Sequence, residues 1–476
     1  MDYDILIIGA GTAGMACAIT AAERGLKVGV VEKIDYVGGA MHWSGGHMSA
    51  GGIRLQKEKG IDDSPEKHLA DIYRINNKSG DLELIKKAVY EAPNTFDWLD
   101  ELGMEWAPEC PRIIYGHVAY ETARTIYGSE KALSIYKVML PKWEKYVANG
   151  TIEIHFNNSF SGLGKIKNRY NKVICDTPEG EKTYTGKHIV ITTGGYGSNP
   201  AYFQQKHDNI PLVSSCCPTA TADGHIIIEK HGATFRLGEF HLPSLGGIEM
   251  EEGSGRVNFN KAWAMVLTSI YRKPRDIYVN AYGNRFIRED EVNPEIREHL
   301  VMKQPDWCFW VVFDEKALVT TDHNGNHNPL VIGWTIKQMK EEAGKNRALK
   351  MADTIEELAS KTGLPSDNLK TTINTYNQMV ATKTDPEFGR KYLEDPITEA
   401  PFYALKIHAS VLVTFGGIKV NEQLQVLDND GAVMEGLYGA GEFLGLGATS
   451  GSSFCSGMAI TPALSFGRIL GRTLQK

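Results

Sequence analysis

Three glycines, Gly9, Gly11 and Gly14, stand in the spacing GxGxxG, and a carboxylate, Glu32, follows about twenty residues beyond the turn. Residues of these types at this spacing can hold a dinucleotide. A glycine at 9 permits the tight turn, one at 11 lets backbone amides approach a pyrophosphate, and one at 14 lets helix and strand pack closely; the carboxylate accepts hydrogen bonds from ribose hydroxyls. That chemistry needs a buried strand, the turn, and a helix whose N-terminus carries partial positive charge. The chain supplies each: Ile5 to Ile8 is an apolar run, Ala13 to Arg24 has helical periodicity with small residues facing the strand, and Val28 to Val31 is a second apolar run ending at Glu32.

At 476 residues the chain is long enough for two or three domains, and its net charge of −7 with no sustained basic block argues against nucleic acid as a partner. No eighteen-residue apolar span occurs. Met1 to Tyr3 lead straight into a strand with no positively charged leader, so a cytoplasmic chain is expected. The seven cysteines form no CxxC or CxxCH, so no metal site, haem attachment or iron–sulfur cluster is expected. Cys216 and Cys217 read as two small buried residues, because neighbours rarely meet disulfide geometry.

Dense glycines from Gly38 to Gly52, GGAMHWSGGHMSAGG, indicate backbone packed against something flat or charged. Ser64 to Leu102 is predicted helical, Tyr115 to Tyr127 is rich in aromatic and polar groups, and Ser129 to Val147 is again helical. A short meander, IEIHF, NKVICD and KTYTG, precedes the buried strand HIVITTGG. From about Arg236 to Val413 charges and prolines become more frequent, with a helical tail from Thr354 to Val380; this reads as an inserted domain. Gly416 to Gly445 returns to strand, hairpin, strand and glycine turn, and a helix from about Gly457 to Gln475 closes the chain.

The N-terminal fingerprint, the GGAMHWSGG loop, VITTGG, GNRFIRE (Gly283 to Glu289), GLYGAGE (Gly436 to Glu442) and ALSFGRILG occur in one order. Together they resemble the fumarate reductase and succinate dehydrogenase flavoprotein family, which includes the 3-ketosteroid dehydrogenases. The resemblance implies an α/β fold: a Rossmann-like FAD-binding domain over 1–236 and 413–476, with an inserted α+β capping domain over 237–412. It implies hydride exchange between flavin N5 and a carbon, with proton transfer at the neighbouring carbon. By the same resemblance Gly9, Gly11, Ala13, Gly14, Glu32 and Lys33 hold the ADP half, and Gly39, Ser44, Gly45 and Gly46 face flavin and pyrophosphate. Gly194 and Gly195 line the adenosine side, and Gly441 and Glu442 take the ribityl chain. His42 lies in the loop through which some relatives attach FAD, but the spacing follows the non-covalent members.

Departures from the family pattern bear on the substrate. In TSIYRKPRDIYVNAYGNRF, Thr268 and Arg272 match the fumarate reductases, whereas Ser269 replaces the relay glutamate and Asn293 stands where the proton-donating arginine belongs. The clamping histidine position is Val413, and the second carboxylate-clamping arginine is Phe454, which also corresponds to the tyrosine of the ketosteroid branch. Asparagine cannot carry a proton to carbon, and valine and phenylalanine cannot pair with a carboxylate. His241 in FHLP matches the histidine that binds a substrate oxygen, with Thr268 beside it.

The proton partner must then come from elsewhere. Tyr120, within YGHVAYETARTIYG, is the favoured candidate and Tyr271, beside Arg272, the alternative. The expected activity is reduction of an activated C=C bond, or dehydrogenation of the CH–CH partner, on a largely apolar or aromatic small molecule bearing a carbonyl or carboxyl group, with a separate electron donor or acceptor. A 3-ketosteroid dehydrogenase-like enzyme, a non-redox hydratase or isomerase, and a catalytically silent flavoprotein are the alternatives.

Overall fold

The computed structural model describes residues 1–237, 244–249, 251–257, 263–264, 272–321, 327–345 and 347–476. The chain divides into two units, Met1–Tyr202 with Cys216–His241 and Val413–Lys476, and Phe203–Ser215 with Leu242–Leu412. Residues 203–215, expected in the first unit, belong with the second because their backbone is tied there. Ser215 N–H donates to the Val411 carbonyl at 2.9 Å, and Val411 N–H to Val213 at 2.8 Å.

In the first unit β1 (Tyr3–Ile8) lies between two parallel neighbours, so both its faces and both its edges are covered. That is why an uninterrupted apolar run, rather than an alternating one, encodes it. α1 (Thr12–Glu23) follows, and β2 (Val28–Val31) pairs with β1 from Ile5↔Val28 to Ile8↔Val31. The expected helix over 64–102 is two: α2 (Pro65–Ile75), capped by the Ser64 hydroxyl, and α3 (Leu82–Glu101), capped by Asp81. Between them Asn77, Lys78 and Gly80 take positive φ, which no continuous helix accommodates. α4 (Ala132–Ala148) then leads to β3 (Ile152–His155), which pairs in parallel with β2 and so is a sheet edge, not the first strand of a meander. The meander is β4 (Ser159–Ile166), β5 (Arg169–Thr177) and β6 (Gly180–Ile191). KTYTG and HIVI are one strand, antiparallel to β5 at its start and parallel to β1 at its end.

The second unit is built on an antiparallel sheet. β7 (Ile277–Val279) precedes α5 (Pro294–Val301), and β8 (Cys308–Asp314) pairs with β7. β9 (Leu349–Ala352) is followed by α6 (Ile355–Thr362) and α7 (Ser366–Thr382), separated at Gly363 (φ +75°) where one helix was expected. β10 (Phe402–Ser410) pairs with both β8 and β9. Ile277, Val279, Val312, Leu358, Leu369 and Ile373 form its core. This is the α+β insertion the sequence implied.

The chain then returns to the first sheet. β11 (Gln425–Leu427) and β12 (Val433–Gly439) form a hairpin, and β12 lies parallel to β6. The closing helix α8 (Ile460–Thr473) crosses α1 so closely that a Cβ at Gly467 would sit 2.3 Å from the Ala13 carbonyl oxygen. The mixed sheet therefore has the order β11-β12-β6-β1-β2-β3, with β4 and β5 appended to β6.

Candidate cofactor and substrate site

The glycine turn after β1 divides its labour. Gly9 has φ +97°, and a Cβ there would lie 2.7 Å from the Thr192 carbonyl oxygen. One at Gly14 would lie 2.0 Å from the Gly9 carbonyl oxygen, whereas one at Gly11 would meet nothing within 4 Å. Gly9 and Gly14 thus serve packing, and Gly11 presents backbone to open space. Gly11 caps α1 without a side-chain hydrogen bond, and no acidic residue stands in the first helical turn. The first amides of α1 are left to an anion from outside.

Glu32 is buried and tethered, one oxygen accepting from Ala10 N–H at 2.8 Å and the other from Ile34 N–H at 3.2 Å. Burial raises its carboxyl above the ordinary range against the opposing pull of those amides. Lys33 is directed elsewhere: its ammonium donates to the Thr219 carbonyl, Thr221 Oγ1 and Asp223 Oδ2 at 2.7, 2.5 and 2.5 Å. Its observed work is to hold the 219–223 segment. Ala13 is a packing residue, since a Cβ at Gly441 would come within 3.2 Å of its Cβ.

Gly39 (φ +49°) brings the second glycine loop over the first, its absent Cβ falling 3.1 Å from Gly11 Cα. Ser44 Oγ accepts from Gly46 N–H at 3.2 Å and shapes that loop, while Gly45 and Gly194 both face open space. A Cβ at Gly195 would fall 2.2 Å from Glu442 Oε1. That oxygen accepts from the Thr414 backbone N–H and hydroxyl, and burial raises the carboxyl. Thr414 thereby joins the site by fixing one oxygen of Glu442. His42 Nε2 lies 2.9 Å from the Val37 carbonyl oxygen, and its ring packs against Tyr36 and Tyr136.

The aromatic segment before α4 sorts its polar groups clearly. Tyr120 is 3% exposed, and its hydroxyl donates to the Ser456 carbonyl at 2.7 Å; burial raises the phenol well above its ordinary value. Such a group anchors the loop before α8, and the placement favours packing over proton transfer. Arg124 is buried between Asp63 and Asp71. Tyr127 donates to Glu109 and accepts from Arg112. His117 lies against half-buried Phe454, ring centroids 4.1 Å apart. His47, next to Gly46, packs on Tyr127, and burial with the charges of His117, Arg112 and Lys131 pushes it down to about 4. In the sequence His47 stands directly after the Gly45-Gly46 pair, inside a loop whose glycine density is its dominant feature. Val413 is half-buried.

In the inserted unit Arg272 is buried and bidentate to Asp276 at 2.6 and 2.9 Å, with Tyr278 at 3.2 Å. This pairing engages the guanidinium that matched the fumarate reductases in sequence. Asn293 caps α5, its side chain accepting from Glu295 N–H at 3.0 Å. His241, Thr268 and Tyr271 lie outside the described residues. Among the described residues no helix is long and apolar enough to cross a membrane, and no cluster of three or more His, Cys, Asp or Glu could hold a metal ion.

Open glycine backbone at 11, 45 and 194, two backbone-tethered carboxylates and an uncapped helix N-terminus define a dinucleotide-binding flavoprotein. The chain belongs to the FAD binding domain family, which matches residues 4–457, and FAD is its cofactor. It is 26% identical to urocanate reductase of Eggerthella lenta over 99% of this chain and 74% of the relative. It is 25% identical to vinyl phenol reductase of Lactiplantibacillus plantarum, over 99% of this chain and 96% of the relative. Among solved structures, a flavocytochrome c3 fumarate reductase superposes with a TM-score of 0.71 at 25% identity, covering 98% of this chain and 77% of the other. The 3-ketosteroid Δ1-dehydrogenase of Sterolibacterium denitrificans superposes with a TM-score of 0.73 at 19% identity over 99% of both chains, a likeness of fold.

Proposed function

We propose that this FAD-dependent oxidoreductase acts on the carbon–carbon bond of a largely apolar or aromatic small molecule carrying a carbonyl or carboxyl group. It reduces an activated C=C bond or dehydrogenates the saturated partner. The observation that carries the reading is Phe454, a half-buried ring against His117 at the position where a carboxylate-clamping arginine belongs in the fumarate enzymes. Val413, also half-buried, makes the same exchange of an ion-pairing group for an apolar one. Relatives named for reducing urocanate and vinyl phenol support a substrate with an aromatic body.

When bound, FAD supplies hydride exchange at N5. The chain supplies the rest. The amides of Gly11 and the α1 N-terminus receive the pyrophosphate, Glu32 and Glu442 accept from sugar hydroxyls, and Phe454 and Val413 exclude water from the apolar part of the substrate. By the family resemblance His241 and Thr268 are assigned to the substrate oxygen, and Tyr271 is proposed as the proton donor in place of the missing arginine. A separate donor or acceptor exchanges electrons with the protein. Five of the seven cysteines are buried and none stands in a CxxC, which fits a reducing, cytoplasmic setting.

The test is anaerobic reduction of the holoprotein, followed by addition of cinnamates, vinylphenols, cyclic enones and fumarate in turn. Reoxidation by the aromatic or enone acceptors, with fumarate inert, is the expected result. Reoxidation by fumarate alone would sink the proposal.

A further inference from the structure

Beside the Gly45-Gly46 pair three nitrogen-bearing side chains of the FAD unit come together. A Cβ at Gly46 would lie 2.4 Å from the Ala132 nitrogen, so Lys131 is held against that loop. The His47 ring packs on Tyr127 with centroids 5.0 Å apart, and the Tyr127 hydroxyl in turn accepts from Arg112 Nη1 at 3.1 Å. Arg112 and Lys131 both bear electrostatically on the imidazole, so the two cations and His47 share one place. The carboxylates nearby are spent elsewhere: Glu130 is taken by Lys137, and Glu109 accepts from the Tyr127 hydroxyl at 2.8 Å. Among the described residues neither Arg112 nor Lys131 has a carboxylate within ion-pair distance, and the ring nitrogens of His47 make no hydrogen bond. Two exposed cations without counter-ions beside a half-buried, unbonded imidazole form a receptor for a small anion, which the cations attract and to which an imidazole N–H can donate. The apolar wall adjoins this cationic rim, because His117, which also bears on His47, packs against Phe454 at 4.1 Å.

We infer that Arg112, Lys131 and His47 receive the carboxylate of the substrate while Phe454 meets its aromatic body, so that the substrate class is an aryl alkenoic acid. This rests on the proposed function, because Phe454 is a substrate wall only if that reading holds. The anionic grip that is missing at Phe454 and Val413 is thereby supplied from a different part of the FAD unit. A monocarboxylate with a ring satisfies both ends at once. Fumarate, with a second charge and no ring, would set a carboxylate against Phe454 with nothing to pair it.

The experiment titrates oxidised holoprotein with phenylacetate and 2-phenylacetamide, which lack the CH–CH bond needed for turnover, and reads the perturbation of the flavin absorbance. Phenylacetate is expected to bind the natural protein more tightly, and its advantage should shrink as sodium chloride is raised, because exposed charges are screened. Arg112→Gln and Lys131→Gln should each weaken phenylacetate about fivefold, the worth of one exposed ion pair, and leave the amide unchanged. His47→Ala should weaken both ligands, since each carries an oxygen that the imidazole can bond. Arg112 and Lys131 are exposed, so their variants should keep the melting temperature and flavin content of the natural protein. If the double charge variant keeps the preference for phenylacetate, or the natural protein has none, the inference is overturned while the proposed function stands. If inorganic phosphate displaces phenylacetate at equal concentration, the rim belongs to the phosphate of a soluble electron carrier and the substrate assignment is overturned. If the natural protein binds neither ligand and reduces no aryl alkene, both readings fall together.

Discussion

The Thr414 backbone N–H and hydroxyl reach the same oxygen of Glu442, at 2.9 and 2.8 Å. One carboxylate oxygen is thereby spent inside the protein, which fixes the direction of the other. Burial nonetheless raises this carboxyl, so an ionised Glu442 is costly to the apoprotein. Glu442→Gln should weaken FAD by about ten- to a hundredfold, the worth of a charge-assisted hydrogen bond, and should stabilise the apoprotein at neutral pH. The sign follows from proton binding. Above the ordinary value of 4.5 the folded chain keeps a proton that the unfolded chain has released, so stability falls as pH rises from there through the raised value. Melting curves of the apoprotein across that range should fall with pH, and Glu442→Gln should flatten them. A steeper slope in the variant would contradict the account.

Gly11 and Gly14 make opposite predictions from one motif. Gly14→Ala drives a methyl to 2.0 Å from the Gly9 carbonyl and should cost about 1–3 kcal/mol of stability or more, with or without cofactor. Gly11→Ala meets no protein atom, so the apoprotein should melt as before while FAD is lost from the purified protein. Calorimetry of both apoproteins beside their flavin content separates a packing glycine from a cofactor glycine.

The same contrast shows what could be read from the sequence. The nucleotide fold was legible because its strands are buried on both faces and its turns need glycine, so local pattern and tertiary role agree. The breaks at 76–81 and at Gly363 do carry local signals, the polar run NNKSGD in the first and Gly363 with Pro365 in the second, but a helical span bounded only by its outer caps runs through them. The pairing of β3 was hidden because four residues, IEIH, carry no record of which edge receives them. In the site, the cofactor glycines lie in contiguous motifs. The Phe454–His117 contact joins residues more than three hundred positions apart, and no spacing rule expresses it. Tyr120 was misleading for a related reason: a tyrosine in a polar, aromatic segment looks available until its hydroxyl is seen bonded to Ser456.

That bond makes Tyr120→Phe informative. The variant loses one buried hydrogen bond and should be about 1 kcal/mol less stable. With the phenol engaged in anchoring the loop before α8, its rate of substrate reduction should match that of the natural protein once FAD is saturating. A loss of rate without loss of stability would return Tyr120 to proton transfer.

In the inserted unit the GNRFIRE motif is explained by charge. Arg285 and Glu289, one helical turn apart in number, meet through Arg285 Nε and Nη2 at 2.9 and 2.8 Å. Glu289 also accepts from Arg390 Nη1 at 3.0 Å and from Tyr278 N–H at 3.2 Å. Arg285 reaches Asp385 in addition, so one buried carboxylate joins two guanidinium groups and a strand. Glu289→Ala should therefore cost about 3–5 kcal/mol, because it leaves buried positive charge uncompensated, not because a single attraction is lost. Glu289→Gln keeps the shape and part of the hydrogen bonding and should cost less. Denaturant unfolding of both variants, with flavin fluorescence and far-ultraviolet dichroism as separate probes, should show the larger loss in the alanine variant. Equal losses would mean that packing volume, and not charge, holds this motif.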